Sequence, residues 1–465
     1  MSRGDERVAS VSLETTLMSQ GVRRFSHEEM IGLASRVRQE IIDRLQHSQS
    51  FPTFLRPVPA DLSQFEGKQT IALEVGGTKM RAGVVTVDQG KAEPTGEMLE
   101  GRLTDQSGQP LTRFADPTDF FDHLFIALPN LAQLIKDDPE AALSIIFSFP
   151  GVPTEQPDRL DCRVTGLTKG FVIPGMIGAN FVELFNQYLI DKGITDRPRR
   201  QTVFNDTPVL ISGEANIGLV VGTGYNFAVA VPVGKLRQIL GPDFAPEWDD
   251  RETMLVNVES GAIDLATRLL DPEYLNGDVR STSIIAQLDN LLPVEEKGKQ
   301  MDEKLVSGKY KGLQLQLILS QLSQASLINS RTMPQDAESG WKTELVSSIL
   351  EGKWNTDWGI DEADRATVIQ VCEIIRDQAA QVVASHLAGA VELTDQLRVK
   401  AVAEGSMFWK LPGFKDKVEA YLAELGISTV HFAAANDGMS EAGQSKAEFA
   451  SLKRGGVAGL AYWYR

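Results

Sequence analysis

A two-lobed α/β protein with a cleft between its lobes is the fold class that three observations predict. The chain has 465 residues, 42% of them hydrophobic, and single cores stop growing at roughly 250–300 residues, so two lobes are expected. Two β-rich hairpins with glycine turns, IALEVGGTKMRAGVVTV at 71–87 and IGLVVGTGYNFAVAVPV at 217–233, repeat one pattern in separate halves, as a duplicated α/β lobe would. From about Lys309 onward the apolar spacing turns helical.

Taken in order, residues 27–46 place Met30, Leu33, Val37, Ile41 and Leu45 three or four apart, the stripe of an amphipathic helix. The Pro-punctuated segment 51–60 cannot continue a helix and reads as an extended connector. After the first hairpin, an apolar run from Leu143 to Phe149 ends in Pro150-Gly151. Residues 363–393 put Val368, Val371, Ile375, Ala379, Val382 and Leu387 on one face of a long core helix. A helix at 414–425, a strand at 428–434 and a Gly-bearing loop at 437–443 follow Pro412. No low-complexity linker occurs, so ordered segments should join the lobes.

Forty-six basic against 63 acidic side chains give a net charge of −17, spread along the chain. That balance argues against nucleic acid and anionic membranes as partners. An anionic nucleotide remains admissible where backbone amides, a local Lys or Mg²⁺ supply the positive field. Cys162 and Cys372 stand far apart with no Cys or His at metal spacing, which excludes a disulfide framework and a zinc site and fits a reducing compartment. Neither a signal peptide nor a membrane-spanning stretch is found, so a cytoplasmic protein is expected.

The first glycine turn, Gly76-Gly77-Thr78-Lys79, offers unhindered amides and a hydroxyl that can cradle phosphate oxygens, although taken alone Gly-Gly at a hairpin is more often a plain turn. The second, Gly222-Thr223-Gly224, sits in the same context. The GxGxxG and GxxxxGK[ST] patterns are absent at both turns, against the dinucleotide and P-loop folds. Asn205-Asp206-Thr207 follows a short apolar run at the expected carboxyl end of a strand. A carboxylate there is placed to accept a proton from a substrate hydroxyl, or to cap the following helix.

These pieces, with FSFPG at 147–151, LTKGF at 167–171, NVESGA at 257–262, EKLVSGKYKG at 303–312 and EGSMFWKLPGF at 404–414, occur in one order that resembles the hexokinase family. The resemblance, which begins at Phe51-Pro52-Thr53-Phe54, covers nearly the whole chain. It implies the two-lobed actin-like (ribonuclease H-like) sugar kinase fold with an interlobe cleft, the small lobe taking 67–205 plus 450–465 and the large lobe 1–66 plus 206–449. It implies ATP-dependent phosphorylation of a hexose, glucose first, at the 6-hydroxyl, with lobe closure on the sugar. By the same resemblance, sugar contacts fall on Ser148, Thr168, Lys169, Asn205, Asp206, Asn226, Glu259 and Glu303, with Asp206 as general base and Lys169 as a catalytic cation. Nucleotide contacts fall on Gly76, Gly77, Thr78, Lys79, Arg81, Gly222, Thr223, Gly224, Thr343, Gly405 and Ser406. Mg²⁺ would be held by the ATP phosphates and water-mediated carboxylates, with no direct protein ligand. Partners are thus a hexose and a nucleotide, for a monomer or homodimer.

The sequence departs from the family in places. Glu74 stands for the usual Asp of the first phosphate turn, Ser260 for the usual Trp, and Asp437-Gly438-Met439-Ser440 for a Gly-Ser-Gly turn; Lys79, in place of Asn, resembles the bacterial glucokinase and repressor version. These departures motivate the alternative of a catalytically impaired, sugar-sensing regulatory homologue.

Overall fold

The structure is a computed structural model; it describes residues 12–47, 61–76, 79–105, 108–156, 159–167, 170–211, 215–272, 281, 283–294, 296–329, 341–434 and 450–463. The connector 51–60 and the loop 437–443 lie outside the described residues.

Two sheets organise the chain. The first has seven strands: β1 Gln69–Val75, β2 Met80–Asp88, β3 Lys91–Gly101, β4 Ala142–Phe147, β5 Gly151–Gln156, β6 Arg159–Val164 and β7 Gln201–Phe204, in the order β3-β2-β1-β4-β7-β6-β5. The second has five: β8 Ile217–Val221, β9 Tyr225–Pro232, β10 Thr253–Asn257, β11 Val399–Glu404 and β12 Val430–Ala434, in the order β10-β9-β8-β11-β12. In both, a three-strand antiparallel meander is extended by two parallel strands, and the first sheet adds β6, parallel to β7, and β5, antiparallel to β6. The duplication expected from the two glycine hairpins is therefore a duplication of topology.

Covering elements explain the strand compositions. β4, ALSIIF, is buried at every position, as a central parallel strand with both faces covered must be. One face of its sheet packs on Phe120, Phe121, Leu124, Phe181 and Phe185. Against the other lies helix Ala450–Trp463, which comes so close that a Cβ on Gly455 would stand 2.2 Å from Ile146 and one on Gly459 2.7 Å from Ser144. Its Ala458 and Tyr462 also pack on Phe204, Val209, Leu210, Ala230 and Leu255, a small core between the two sheets.

Helix His27–His47 buries Met30, Leu33, Val37, Ile41 and Leu45, the stripe its spacing predicts. Helix Arg365–Val391 differs from its reading. Beyond the six predicted positions, Gln378, Gln381, Ser385 and His386 are also buried, because neighbouring helices wrap it on several sides rather than along one stripe.

Lys311, 1% exposed, donates its ammonium to the Leu305 carbonyl and to Gln314 Oε1. Burial lowers its pKa to about 7. The folded chain therefore releases this proton more readily than the unfolded one. Stability gains as pH climbs from about 7 toward the free-lysine value of 10.5. Lys311→Met is expected to stabilise by about 1–4 kcal/mol at pH 6 and by less at pH 9.5, read from urea midpoints; equal gains at both pH values would disprove the neutralised amine.

Candidate functional site

The parallel strands β1, β4 and β7 all end on one edge, since Val75 pairs with Phe147 and Ile146 with Phe204. Gly76, Ser148, Asn205 and Asp206 thus emerge together, at the strand ends where open α/β sheets bind ligands. The Ser148 amide donates to the Val75 carbonyl at 3.2 Å. Asp206 does not cap the short helix Pro208–Leu210, whose cap position is Thr207 and which has no side-chain cap. Its Oδ1 instead accepts from the Thr207 hydroxyl at 3.1 Å.

From Asp206 a polar chain leads into the second sheet. The Thr207 hydroxyl accepts from Asn226 Nδ2 at 3.1 Å, and the same amide donates to Asn257 Oδ1 at 2.8 Å. Asn257 Nδ2 reaches Glu259 Oε1 at 2.7 Å. The Ser260 amide donates to Asn226 Oδ1 at 3.1 Å, and the Tyr225 amide to Glu303 Oε2 at 3.1 Å. Glu259 holds φ of 49°, a left-handed backbone that costs a non-glycine residue about 1–3 kcal/mol and recurs at ligand sites. Asn205, Asp206, Asn226, Glu259 and Glu303 are thereby brought into one neighbourhood, together with Thr207 and Asn257, which the sequence reading did not pick out. Thr168 and Lys169 lie outside the described residues.

The second glycine turn gathers a separate group. The Gly222 amide donates to the Gly224 carbonyl at 2.9 Å, and the Gly222 carbonyl accepts from the Gly308 amide at 2.7 Å. Thr343 donates its hydroxyl to the Gly308 carbonyl. Gly405, at the end of β11, lies against Val221 and Gly222, with Ser406 next to it. Thr343, Gly405 and Ser406, far apart in sequence, therefore meet Gly222–Gly224. In the first turn Gly76 is described, and Gly77 and Thr78 are not. Lys79 pairs with Glu100 at 2.8 Å, and Arg81 reaches Glu100 at 3.0 Å and Glu74 at 3.2 Å.

Glu74, Asp206 and Glu404 share this region, with Glu100 beyond Glu74. Burial raises the pKa of Glu74, with Arg81 opposing and the charges of Asp206 and Glu100 adding to the rise. Burial, then the charges of Glu74 and Asp206, raise Glu404 to about 7 against the pull of Arg454 and Arg81. Glu404 is a further residue missed in sequence, although it immediately precedes Gly405-Ser406. An array of mutually repelling carboxyls is a setting in which a cation is favoured. Among the described residues, no three His, Cys, Asp or Glu side chains converge as metal ligands, and no helix is long and apolar enough to cross a membrane.

Comparison with known proteins places this arrangement. Rat hexokinase-2 is 26% identical over 452 residues and human hexokinase-1 27% over 436, each match covering 86% of this chain and 44% of the relative. The chain thus spans about half the length of these curated relatives. A solved structure described as hexokinase from Schistosoma mansoni complexed with glucose superposes with a TM-score of 0.74 at 19% identity, covering 96% of this chain and 98% of that one. A second, described as a crystal structure of hexokinase, gives 0.64 at 19%, covering 96% and 99%. These likenesses establish the two-lobed actin-like sugar-kinase fold. Two family models, both described as hexokinase, match residues 5–213 and 216–443. With nearly every residue falling under one of those two models, the chain belongs to the hexokinase family.

Proposed function

We propose that this chain transfers the γ-phosphoryl group of ATP to the 6-hydroxyl of a hexose, glucose first, with Asp206 orienting that hydroxyl and accepting its proton. The observation that carries this reading is the position of Asp206. It lies on the strand-end edge it shares with Gly76 and Ser148, and is tied through Thr207, Asn226 and Asn257 to Glu259 beside the second sheet. Amides and carboxylates such as Asn205, Asn226, Glu259 and Glu303 suit a polyol, because each buried acceptor left unpaired by a wrong sugar costs about 1–3 kcal/mol.

The nucleotide phosphates are assigned to the amides of the two glycine turns, with Thr343, Gly405 and Ser406 beside the second. Mg²⁺ suits this setting as a phosphate-held ion, since Glu74, Asp206 and Glu404 repel one another and such an ion supplies charge neutralisation. Lys169 is assigned to the charge spread over the moving phosphoryl group. Sugar binding closes 67–205 plus 450–465 onto 1–66 plus 206–449 and excludes water. We place the protein in the cytoplasm, as a monomer or homodimer.

A coupled assay with glucose and Mg-ATP tests the activity. Product formation supports it; hexose binding by calorimetry with no product on any hexose would support the sensor reading instead.

The Glu404 carboxyl gives the reaction a pH dependence. With its pKa raised to about 7, it is neutral below that value and charged above it. Affinity for Mg-nucleotide is therefore expected to strengthen from pH 6 to pH 8, and Glu404→Gln to flatten that rise. The stabilisation from holding this carboxyl neutral is complete below its free value of 4.5 and lost as pH rises through about 7. A KM for Mg-ATP with the same pH profile in wild type and variant would remove Glu404 from the site.

A further inference from the structure

Behind the site, a line of buried polar groups leads from the long helix Arg365–Val391 toward Glu303. His386, on that helix, is fully buried. Its Nδ1 lies 3.0 Å from the Tyr225 hydroxyl. Its Nε2 makes no hydrogen bond and faces Asp302 Oδ2 at 3.4 Å.

Asp302 is itself buried and held from the other side. Its Oδ1 accepts from the Thr267 amide at 2.8 Å and the Thr267 hydroxyl at 2.9 Å, and its Oδ2 from the Ala266 amide at 3.2 Å. A carboxylate fixed opposite Nε2 favours the proton on that nitrogen, which leaves Nδ1 to accept from the Tyr225 hydroxyl.

One end of this line reaches the Glu303 carboxylate, and the other reaches the residue that precedes Glu303 in its helix. Tyr225, 2% exposed, opens β9 directly after the Gly222-Thr223-Gly224 turn, and its backbone amide donates to Glu303 Oε2 at 3.1 Å. Asp302 precedes Glu303 in helix Met301–Val306. Polar groups in a core are costly unless they are hydrogen-bonded. His386 sits among the buried apolar side chains Val382, Val383 and Leu387 as well as buried Ser385.

We propose that His386 is a positioning residue for Glu303. Through the Tyr225 hydroxyl it anchors the strand whose first amide aims Oε2 of Glu303, and its Nε2 rests against the buried Asp302 carboxylate of the helix that carries Glu303. The proposal rests on the sugar-binding role assigned to Glu303 above.

The test compares the full-length wild type with Tyr225→Phe, His386→Ala, His386→Asn and the Phe/Ala double variant, measuring glucose KM, ATP KM, kcat and Tm. Tyr225→Phe and His386→Ala are each expected to raise glucose KM about 5- to 20-fold while ATP KM stays within about twofold. The double variant should be no worse than the worse single, since both break one line. His386→Asn, whose Oδ1 falls near the position of Nδ1, should recover part of the loss.

Lower melting temperatures with unchanged glucose KM, or glucose and ATP KM rising together, would reduce His386 to packing and overturn the proposal. Should His386→Ala fail to fold, Tyr225→Phe, which removes a single oxygen, decides alone. If the wild type binds glucose without turning it over, calorimetric glucose affinities carry the same comparison. The two readings therefore fail separately: inactivity of the wild type sinks the kinase assignment, and variants indistinguishable from an active wild type sink this one.

Discussion

Asp206→Ala is expected to lower turnover by about 10²–10⁴-fold while hexose affinity stays within about tenfold of wild type. The separation follows from what surrounds the carboxylate. The hydroxyl of Thr207 donates to Asp206, but it also accepts from Asn226, which continues to Asn257 and Glu259. Removing Asp206 takes one acceptor from a network with other anchors, so the sugar-side groups keep their places. What disappears is the group that aims the attacking hydroxyl and takes its proton, and phosphoryl transfer depends mostly on such positioning. Single-turnover kinetics with calorimetry on the same preparation would show it. A variant that retained most of its turnover would remove the base from the mechanism.

The second large effect concerns Gly405. Its φ is 114°, and a Cβ built on it would stand 2.2 Å from the carbonyl oxygen of Val221 and 2.7 Å from the amide nitrogen of Gly222. All of these neighbours are backbone atoms at the paired ends of β8 and β11, where Glu404 lies opposite Val220. They cannot rotate away as a side chain does. Gly405→Ala is therefore expected to cost about 2–4 kcal/mol of stability and, by displacing the Gly222 turn, to raise Mg-ATP KM by at least about tenfold. Gly426→Ala is the control, because its φ of 80° is also positive but nothing lies within 4 Å of the new Cβ. It should cost only about 1 kcal/mol. Similar behaviour of the two variants would mean that backbone angle alone, not the crowded strand ends, accounts for Gly405.

What could be read in the sequence were features that repeat or punctuate. The glycine hairpins, the stripe of Met30 to Leu45 and the apolar run ending at Pro150-Gly151 each carry a periodic or turn signal, and each became an element of the fold. Helix Arg365–Val391 was legible in position but not in environment, since Gln381, Ser385 and His386 look like a solvated face until neighbouring helices cover them. The same holds for Lys311, whose burial is set by packing around it and not by its own spacing.

Of the site, the motif residues at strand ends were legible. Thr207, Asn257 and Glu404 were not. Each is a single polar side chain whose importance comes from a partner far away in the chain: Glu404 feels Glu74 and Asp206 only because the fold brings the ends of β11, β1 and β7 together. Such encounters leave no local pattern.

The helix Ala450–Trp463 has a consequence for the order in which the chain takes shape. Its glycines lie directly on Ile146, Thr70, Val85 and Ser144, all strand residues that leave the ribosome some three hundred residues before it does. During synthesis, the buried face of the first sheet must wait, uncovered or shielded by a chaperone, until the entire second sheet has been translated. Covering of that face thus waits on helix Ala450–Trp463, and a chain truncated before Ala450 is expected to leave it exposed.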